Sequence, residues 1–169
     1  IPGTGEYSLA TTPVYYTDGP GSEWPANLNA ASGQTDFVAS MEALQGELPA
    51  CGATSLVVSW FGDDLRCGDC KVVPKVERAE YDSNTMPWAV SGVTRATATA
   101  MAQTDDRPIY GGTPADASVV EAIRHMNAAG QDVMFYPFIL MDQQSGNGLP
   151  DPWTGAPDQP HLPWRGRIT

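Results

Sequence analysis

Acidic side chains follow two predicted strands of this chain. Residues 55–61 form a short, largely apolar run, and Asp63 and Asp64 come directly after it. A second apolar run, residues 132–141, ends at Asp142. In folds with parallel strands, ligands bind outside the carboxyl ends of the strands, so acids at these positions meet in space. Paired carboxylates there can serve as general acid and as base or nucleophile in glycoside hydrolysis.

Each of these acids also has a structural interpretation. Asp63 or Asp64 can cap the turn that it enters and pair with Arg66. Five glutamates are predicted to lie on helices or loops away from the strand ends: Glu42, Glu47, Glu77, Glu80 and Glu121. The sequence therefore nominates Asp63, Asp64 and Asp142 as catalytic candidates and predicts no catalytic glutamate.

Aromatic side chains form the second candidate group, because sugar rings stack on aromatic faces. The glycan-binding candidates are Trp60, Tyr110, Trp153 and Trp164. Exposure to solvent is predicted only for the two tryptophans in loops, Trp153 and Trp164. Core packing is favoured for aromatic residues inside the apolar runs, such as Tyr136 and Phe138, since large rings dominate protein cores.

Three cysteines leave the redox state open. Cys51, Cys67 and Cys70 allow either one disulfide with a free thiol or three reduced thiols. Cys67 and Cys70 have the spacing of half a zinc or redox site, but only His125 and His161 remain to complete it. A loop packed through its sulfur side chains is favoured, and no metal or cofactor is predicted.

Two helices are predicted next to the apolar runs. The first has Thr35 as N-cap and ends before Pro49, and its apolar stripe is Phe37, Met41, Leu44 and Leu48. The second begins at Thr113 and ends at Gly130. Propensity predicts a further helix at residues 94–103. Short strands are predicted at residues 14–17, 72–76 and 88–90. The alternation of helix and strand predicts an α/β fold with a parallel sheet.

Composition and charge exclude some classes of partner. The 169 residues are 41% apolar, enough to bury a core of one domain. The net charge of −11 repels phosphate backbones and anionic lipid, so nucleic acid and membrane surfaces are disfavoured. No apolar run is long enough to span a bilayer. A neutral glycan is compatible with this charge.

Six blocks of sequence resemble a known family. They are SLVVSWFGDDLRCGDC (residues 55–70), VSG (90–92), RPIYGGTPADA (107–117), YPFILMD (136–142), GNGLPDPWTG (146–155) and PWRGRIT (163–169). Together they resemble the TIM-barrel-like domain of the large tail-tip protein, the megatron protein, of gene transfer agents and related tailed phages. The resemblance runs from Ile1 to Thr169.

The resemblance implies a partial (β/α)8 barrel. A complete barrel needs about 250 residues, so this chain would supply about the first half of a glycoside-hydrolase-like barrel. Residues 1–33 would be an irregular segment leading into it, and residues 34–169 the N-terminal part of the barrel. A start at Ile1 rather than Met predicts a piece of a longer protein.

The resemblance also implies a location and partners. The chain would be a structural component of the tail tip or baseplate of a virion or phage-like particle, and its barrel would engage the host cell envelope. Expected partners are other tail-tip and hub proteins, further copies of the chain in a trimer, and cell-surface glycan. The alternative is an active glycoside hydrolase that degrades host wall or capsule glycan.

Overall fold

The computed structural model describes residues 1–163 and 168–169. Its elements in chain order are β1 (Pro2–Gly3), β2 (Tyr15–Thr17), β3 (Glu23–Pro25), α1 (Asp36–Glu47), β4 (Ala53–Gly62), β5 (Val72–Val73), β6 (Lys75–Val76), β7 (Asp82–Ser83), β8 (Ala89–Val90), β9 (Val93–Thr94), a 3₁₀ helix (Arg95–Thr97), β10 (Thr99–Ala100), β11 (Gln103–Thr104), β12 (Arg107–Pro108), α2 (Asp116–Ala128) and β13 (Asp132–Met141).

The two apolar runs form adjacent parallel strands, as the sequence predicts. β4 and β13 pair over ten residues, from Asp132 opposite Ala53 to Met141 opposite Gly62. The short strand β1 pairs in parallel with the other edge of β4, which gives the order β1-β4-β13. The carboxyl ends of all three strands therefore point toward the same end of the sheet, which we call the rim, and β1 stops short of it at Gly3, opposite Val58.

Both predicted helices pack on one face of this sheet. Thr35 caps α1 through its hydroxyl, and Gly130 follows α2 with a φ of +80°, as expected of a C-terminal cap. Even-numbered side chains of β4, such as Leu56 and Val58, are buried against both helices. The shared apolar cluster is Leu9, Phe37, Met41, Leu56, Val58, Val119, Ala122 and Met126.

The predicted barrel is wrong. Within residues 1–163 and 168–169 the structure has two α-helices, several small sheets and no closed barrel. The segment between β4 and α2 would have to supply a further β/α unit, but it folds into strands of two residues each. These pair locally, for example β8 with β9 and β11 with β12, and none of them enters the central sheet as a parallel strand.

Two local predictions are also corrected. Within residues 94–103 the only helix is one turn of 3₁₀ helix, and β10 follows it. The alanines of this stretch favour a helix, but the β-branched threonines between them oppose it. The second helix begins at Asp116 rather than at Thr113. The hydroxyl of Thr113 accepts a hydrogen bond from the backbone N–H of Lys75 and therefore does not cap the helix.

The strand β13 lies at the edge of the sheet. The backbone N–H groups of Asp132 and Asp142 donate to the backbone oxygens of Gly52 and Gly62. The backbone N–H groups of even-numbered residues of β13 therefore point toward β4, and those of odd-numbered residues point away from it. Pro137 is odd-numbered, so its missing N–H falls on the outer edge, where proline is tolerated. In the described part of the chain, no strand pairs with that edge. No helix described here is long and apolar enough to cross a bilayer.

Candidate functional site

Four acids lie at the rim. Asp63 and Asp64 follow β4, Asp142 follows β13, and Glu6 follows β1. The sequence did not reveal Glu6 because β1 is only two residues long and is flanked by proline and glycine, which leaves no periodicity to read. The structure thus places the three nominated aspartates after the ends of two paired strands and adds a buried glutamate near them.

Asp64 is bound on both oxygens. Arg66 donates from Nε to Oδ1 at 3.0 Å and from Nη2 to Oδ2 at 2.7 Å, and Gln159 donates to Oδ1 at 2.7 Å. The hydrogen bonds from Arg66 hold the pKa of Asp64 well below its ordinary value. Asp64 is therefore an ionised structural acid, which argues against a role as proton donor.

Asp142 forms a buried ion pair across the rim. Its Oδ2 lies 2.6 Å from Nζ of Lys75, and the side chains are 1% and 9% exposed. The backbone N–H of Ala102 and the amide of Gln144 donate to the same carboxylate at 3.4 Å. Lys75 therefore compensates the negative charge of Asp142 where solvent does not reach it.

Asp63 has a turn-forming role. Its Oδ1 accepts the backbone N–H of Lys71 at 2.7 Å, which closes the loop that holds Cys67 and Cys70. The three nominated aspartates thus share the rim but engage separate partners. No hydrogen bond joins one of them to another within the described residues.

Glu6 organises a second network of buried charge. Its carboxylate accepts two hydrogen bonds from Arg95, at 3.0 and 2.5 Å, and one from the hydroxyl of Tyr16 at 3.0 Å. Arg95 also pairs with Asp82 at 3.1 Å. The Glu6 side chain has no exposed area, and that of Arg95 is 4% exposed. Burial raises the pKa of Tyr16, so its phenol stays protonated and donates to Glu6.

Glu77 lies beside this network and differs from the aspartates. Its backbone N–H donates to Glu6, and its Oε1 accepts the N–H of Gly112 at 3.2 Å. Burial, and then the negative charge of Glu6, raise the pKa of Glu77. Glu77 follows β6, a strand too short for its end to be recognised in the sequence.

The aromatic candidates are spread over the molecule. Trp60 is half-buried on the helix-covered side of the sheet, whereas Tyr110 lines a cavity on the opposite side. Trp153 is 50% exposed, as predicted, in the loop after the rim. Trp164 lies outside the described residues. The structure therefore brings neither Trp60 nor Trp153 to the cavity that Tyr110 lines.

That cavity, which we call the inner groove, lies on the sheet face away from the helices. Its lining residues are Ile1, Gly3, Thr4, Val57, Ser59, Tyr110, Tyr136 and Phe138. Its volume is about 360 Å³. Tyr136 is 48% exposed, contrary to the prediction of core packing, because β13 has no outer neighbour to cover it. Phe138 is half-buried.

The cysteines are free thiols. Cys67 is exposed, and Cys51 and Cys70 are half-buried. Among the residues described, no group of three or more His, Cys, Asp or Glu side chains is arranged to hold a metal ion.

Comparisons with known proteins do not assign the chain. No family model matches it. No curated protein is significantly similar to it.

Replacing Asp64 with Asn is expected to remove an acid-sensitive part of the stability. The native pKa of Asp64 is lowered, so its contribution is fully present above pH about 4 and is lost as the pH falls. We expect Asp64→Asn to lower the free energy of unfolding by about 1–3 kcal/mol at pH 7. The deficit should shrink between pH 4 and pH 2.

Urea unfolding at pH 7, 4 and 3 measures this effect. Asp132→Asn is the matched control, because Asp132 is exposed and has no ion pair in the described structure. A deficit for Asp64→Asn that stays constant with pH would contradict the ionised pair with Arg66.

Proposed function

We propose that this chain is a structural component of the tail tip or baseplate of a phage or gene transfer agent, and that it engages glycan on the host envelope. The six sequence blocks that resemble the megatron protein motivate the location. The same proposal includes its partners, which are other tail-tip and hub proteins and further copies of the chain, with a trimer as the expected assembly.

The ion pairing of the nominated acids supports a structural role over a catalytic one. Asp64 is bound by Arg66, Asp142 by Lys75, and Asp63 by the N–H of Lys71. A general acid must hold a proton near neutral pH, and an acid becomes suited to this when its pKa is raised. Pairing with a cation has the opposite effect, because it favours the ionised carboxylate.

Immunogold labelling of purified particles tests the location. An antibody against the 169-residue chain should label one end of the tail and leave the capsid unlabelled. Antibody that has been pre-incubated with the chain is the control, and it should label nothing. Recovery of the protein only in fractions free of particles would refute the proposal.

Glycoside hydrolysis is the second candidate function, and one observation favours it. Glu77 has a raised pKa beside Glu6, which Arg95 holds as an ion pair. Two carboxyl groups whose environments differ in this way can divide the roles of proton donor and anion between them. In this reading Glu77 protonates the leaving oxygen of the glycosidic bond and water adds to the sugar carbon. The proton that this water loses passes to solvent, from which Glu77 is protonated again.

Release of reducing sugar from host wall or capsule polymer tests this candidate. Activity should be lost in Glu77→Gln and retained in Asp63→Asn, because Asp63 closes its loop through the N–H of Lys71. If the intact chain releases no sugar from any host polymer, only the binding role remains.

A further inference from the structure

A buried hydroxyl faces the inner groove without a partner. Ser59 is 1% exposed and lines the groove. Within the described residues its hydroxyl has no hydrogen-bond partner, and it is not among their fully buried unpartnered atoms, so it keeps a small contact with solvent. Burying a hydroxyl without a hydrogen bond is unfavourable, so buried polar groups nearly always have partners. The hydroxyl of Ser59 is therefore available to a guest molecule with polar groups of its own.

Aromatic rings stand next to that hydroxyl. The rings of Tyr136 and Phe138 are stacked, with centroids 6.5 Å apart and planes inclined by 27°. Phe138 lies directly opposite Ser59 in the pairing of the two strands, and Tyr136 lies opposite Val57. The ring of Tyr110 stands edge-on to Phe61 at 6.2 Å. The lining of the groove thus combines aromatic rings with the hydroxyl of Ser59.

The charged groups in and around the groove indicate which class of ligand it can bind. Among the residues that the structure describes, none of those that line it has an acidic or basic side chain. The chain as a whole carries a net charge of −11, which repels anions. A cation would find no carboxylate in the groove to pair with. These facts favour a neutral ligand that has apolar faces and hydroxyl groups.

The size and polarity of the groove fit a small ring rather than a protein segment. Small-molecule sites typically have volumes of about 300–1,000 Å³ and combine apolar walls with a few placed polar groups. The groove, at about 360 Å³, lies near the lower end of that range. A neutral pyranose has the required chemistry, because its C–H faces pack on aromatic rings while its hydroxyls form hydrogen bonds.

We propose that the inner groove binds one pyranose ring of a neutral glycan, with Tyr136 and Phe138 against the ring and Ser59 bonded to a hydroxyl. This inference rests on the proposed engagement of envelope glycan and names the site and class of sugar. It places the site on the sheet face opposite Trp60, in a groove that Trp153 does not line. Of the nominated aromatics it keeps Tyr110.

Titration of the ¹⁵N-labelled chain with methyl β-glucopyranoside and with the N-acetylglucosamine trimer, followed by NMR chemical shifts, tests the site. We expect saturable shifts at Val57, Ser59 and Tyr136. Tyr136→Ala should weaken binding at least about tenfold, and Ser59→Ala about three- to tenfold, the loss expected for one hydrogen bond.

Phe135→Ala is the matched control. Phe135 is 49% exposed and neighbours Tyr136 on the same strand, but it lines a cavity on the opposite face of the sheet. Its replacement should leave sugar binding unchanged. Because both positions are half-exposed, neither variant is expected to prevent folding.

Three results would overturn the inference. They are the absence of shifts at millimolar sugar, equal weakening by Tyr136→Ala and Phe135→Ala, and equal binding of anionic glucuronate. Concentration-dependent shifts without sugar would instead identify the groove as a self-association surface and would also overturn it. Sugar binding by a chain that the immunogold experiment does not find on tails would refute the tail-tip proposal alone.

Discussion

Replacing Arg95 with Met is expected to lower the free energy of unfolding by about 3–5 kcal/mol, the usual result of leaving a buried charge without its partner. The Glu6 side chain has no exposed area, and Arg95 supplies two of its hydrogen bonds. Without Arg95 the carboxylate keeps only the hydroxyl of Tyr16 and the N–H of Glu77.

The loss extends beyond Glu6. Arg95 also donates to the backbone oxygen of Arg78 at 2.6 Å and to the hydroxyl of Tyr7 at 3.3 Å. Its guanidinium lies 6.0 Å from the ring centre of Trp88, in the cluster that fills this side of the molecule. A single substitution thus removes the cation around which this cluster is built, and methionine restores only part of the packing.

Urea denaturation at pH 7 measures the effect of Arg95→Met. The control is Arg124→Met, since Arg124 is exposed on α2 and has no ion pair within the described residues. Changes at such surface positions stay within about 0.5 kcal/mol. If the two variants have the same midpoint, Arg95 does not compensate Glu6 in solution.

The elements that the sequence predicts correctly are those whose signal is local. β4 and β13 are long apolar runs, and α1 carries an apolar stripe and a capping threonine. A parallel pair follows from them, because strands joined through a helical crossover pair in parallel. The shared rim of Asp63, Asp64 and Asp142 was predictable for the same reason.

The features that sequence reasoning missed depend on long-range contacts. Arg95 belongs to a stretch whose composition is typical of a helix. The carboxylate with which it pairs, that of Glu6, lies 89 positions away in the sequence. The exposure of Tyr136 depends on which strand lies at the edge of the sheet, which no periodicity encodes. The closed barrel was wrong because the strands between β4 and α2 are two residues long and pair with one another, with β2, or antiparallel to β4.

Lys75→Met is expected to have the second large effect, again about 3–5 kcal/mol in the free energy of unfolding. Asp142 is 1% exposed at its side chain, and its remaining donors, Ala102 and Gln144, lie at 3.4 Å, the weak end of hydrogen bonding. The carboxylate would remain buried with its negative charge uncompensated.

The double variant Lys75→Met with Asp142→Leu separates loss of the pair from loss of packing. A buried ion pair replaced by apolar side chains of similar volume is often neutral or stabilising, whereas removal of one partner is not. We therefore expect the double variant to recover most of the stability that Lys75→Met loses. Urea unfolding of the single variant Asp142→Leu completes the cycle and gives the coupling energy. Additive losses would mean that Lys75 contributes through packing alone. Such a result would leave Asp142 without a compensating cation and would reopen its assignment as a catalytic acid at the rim.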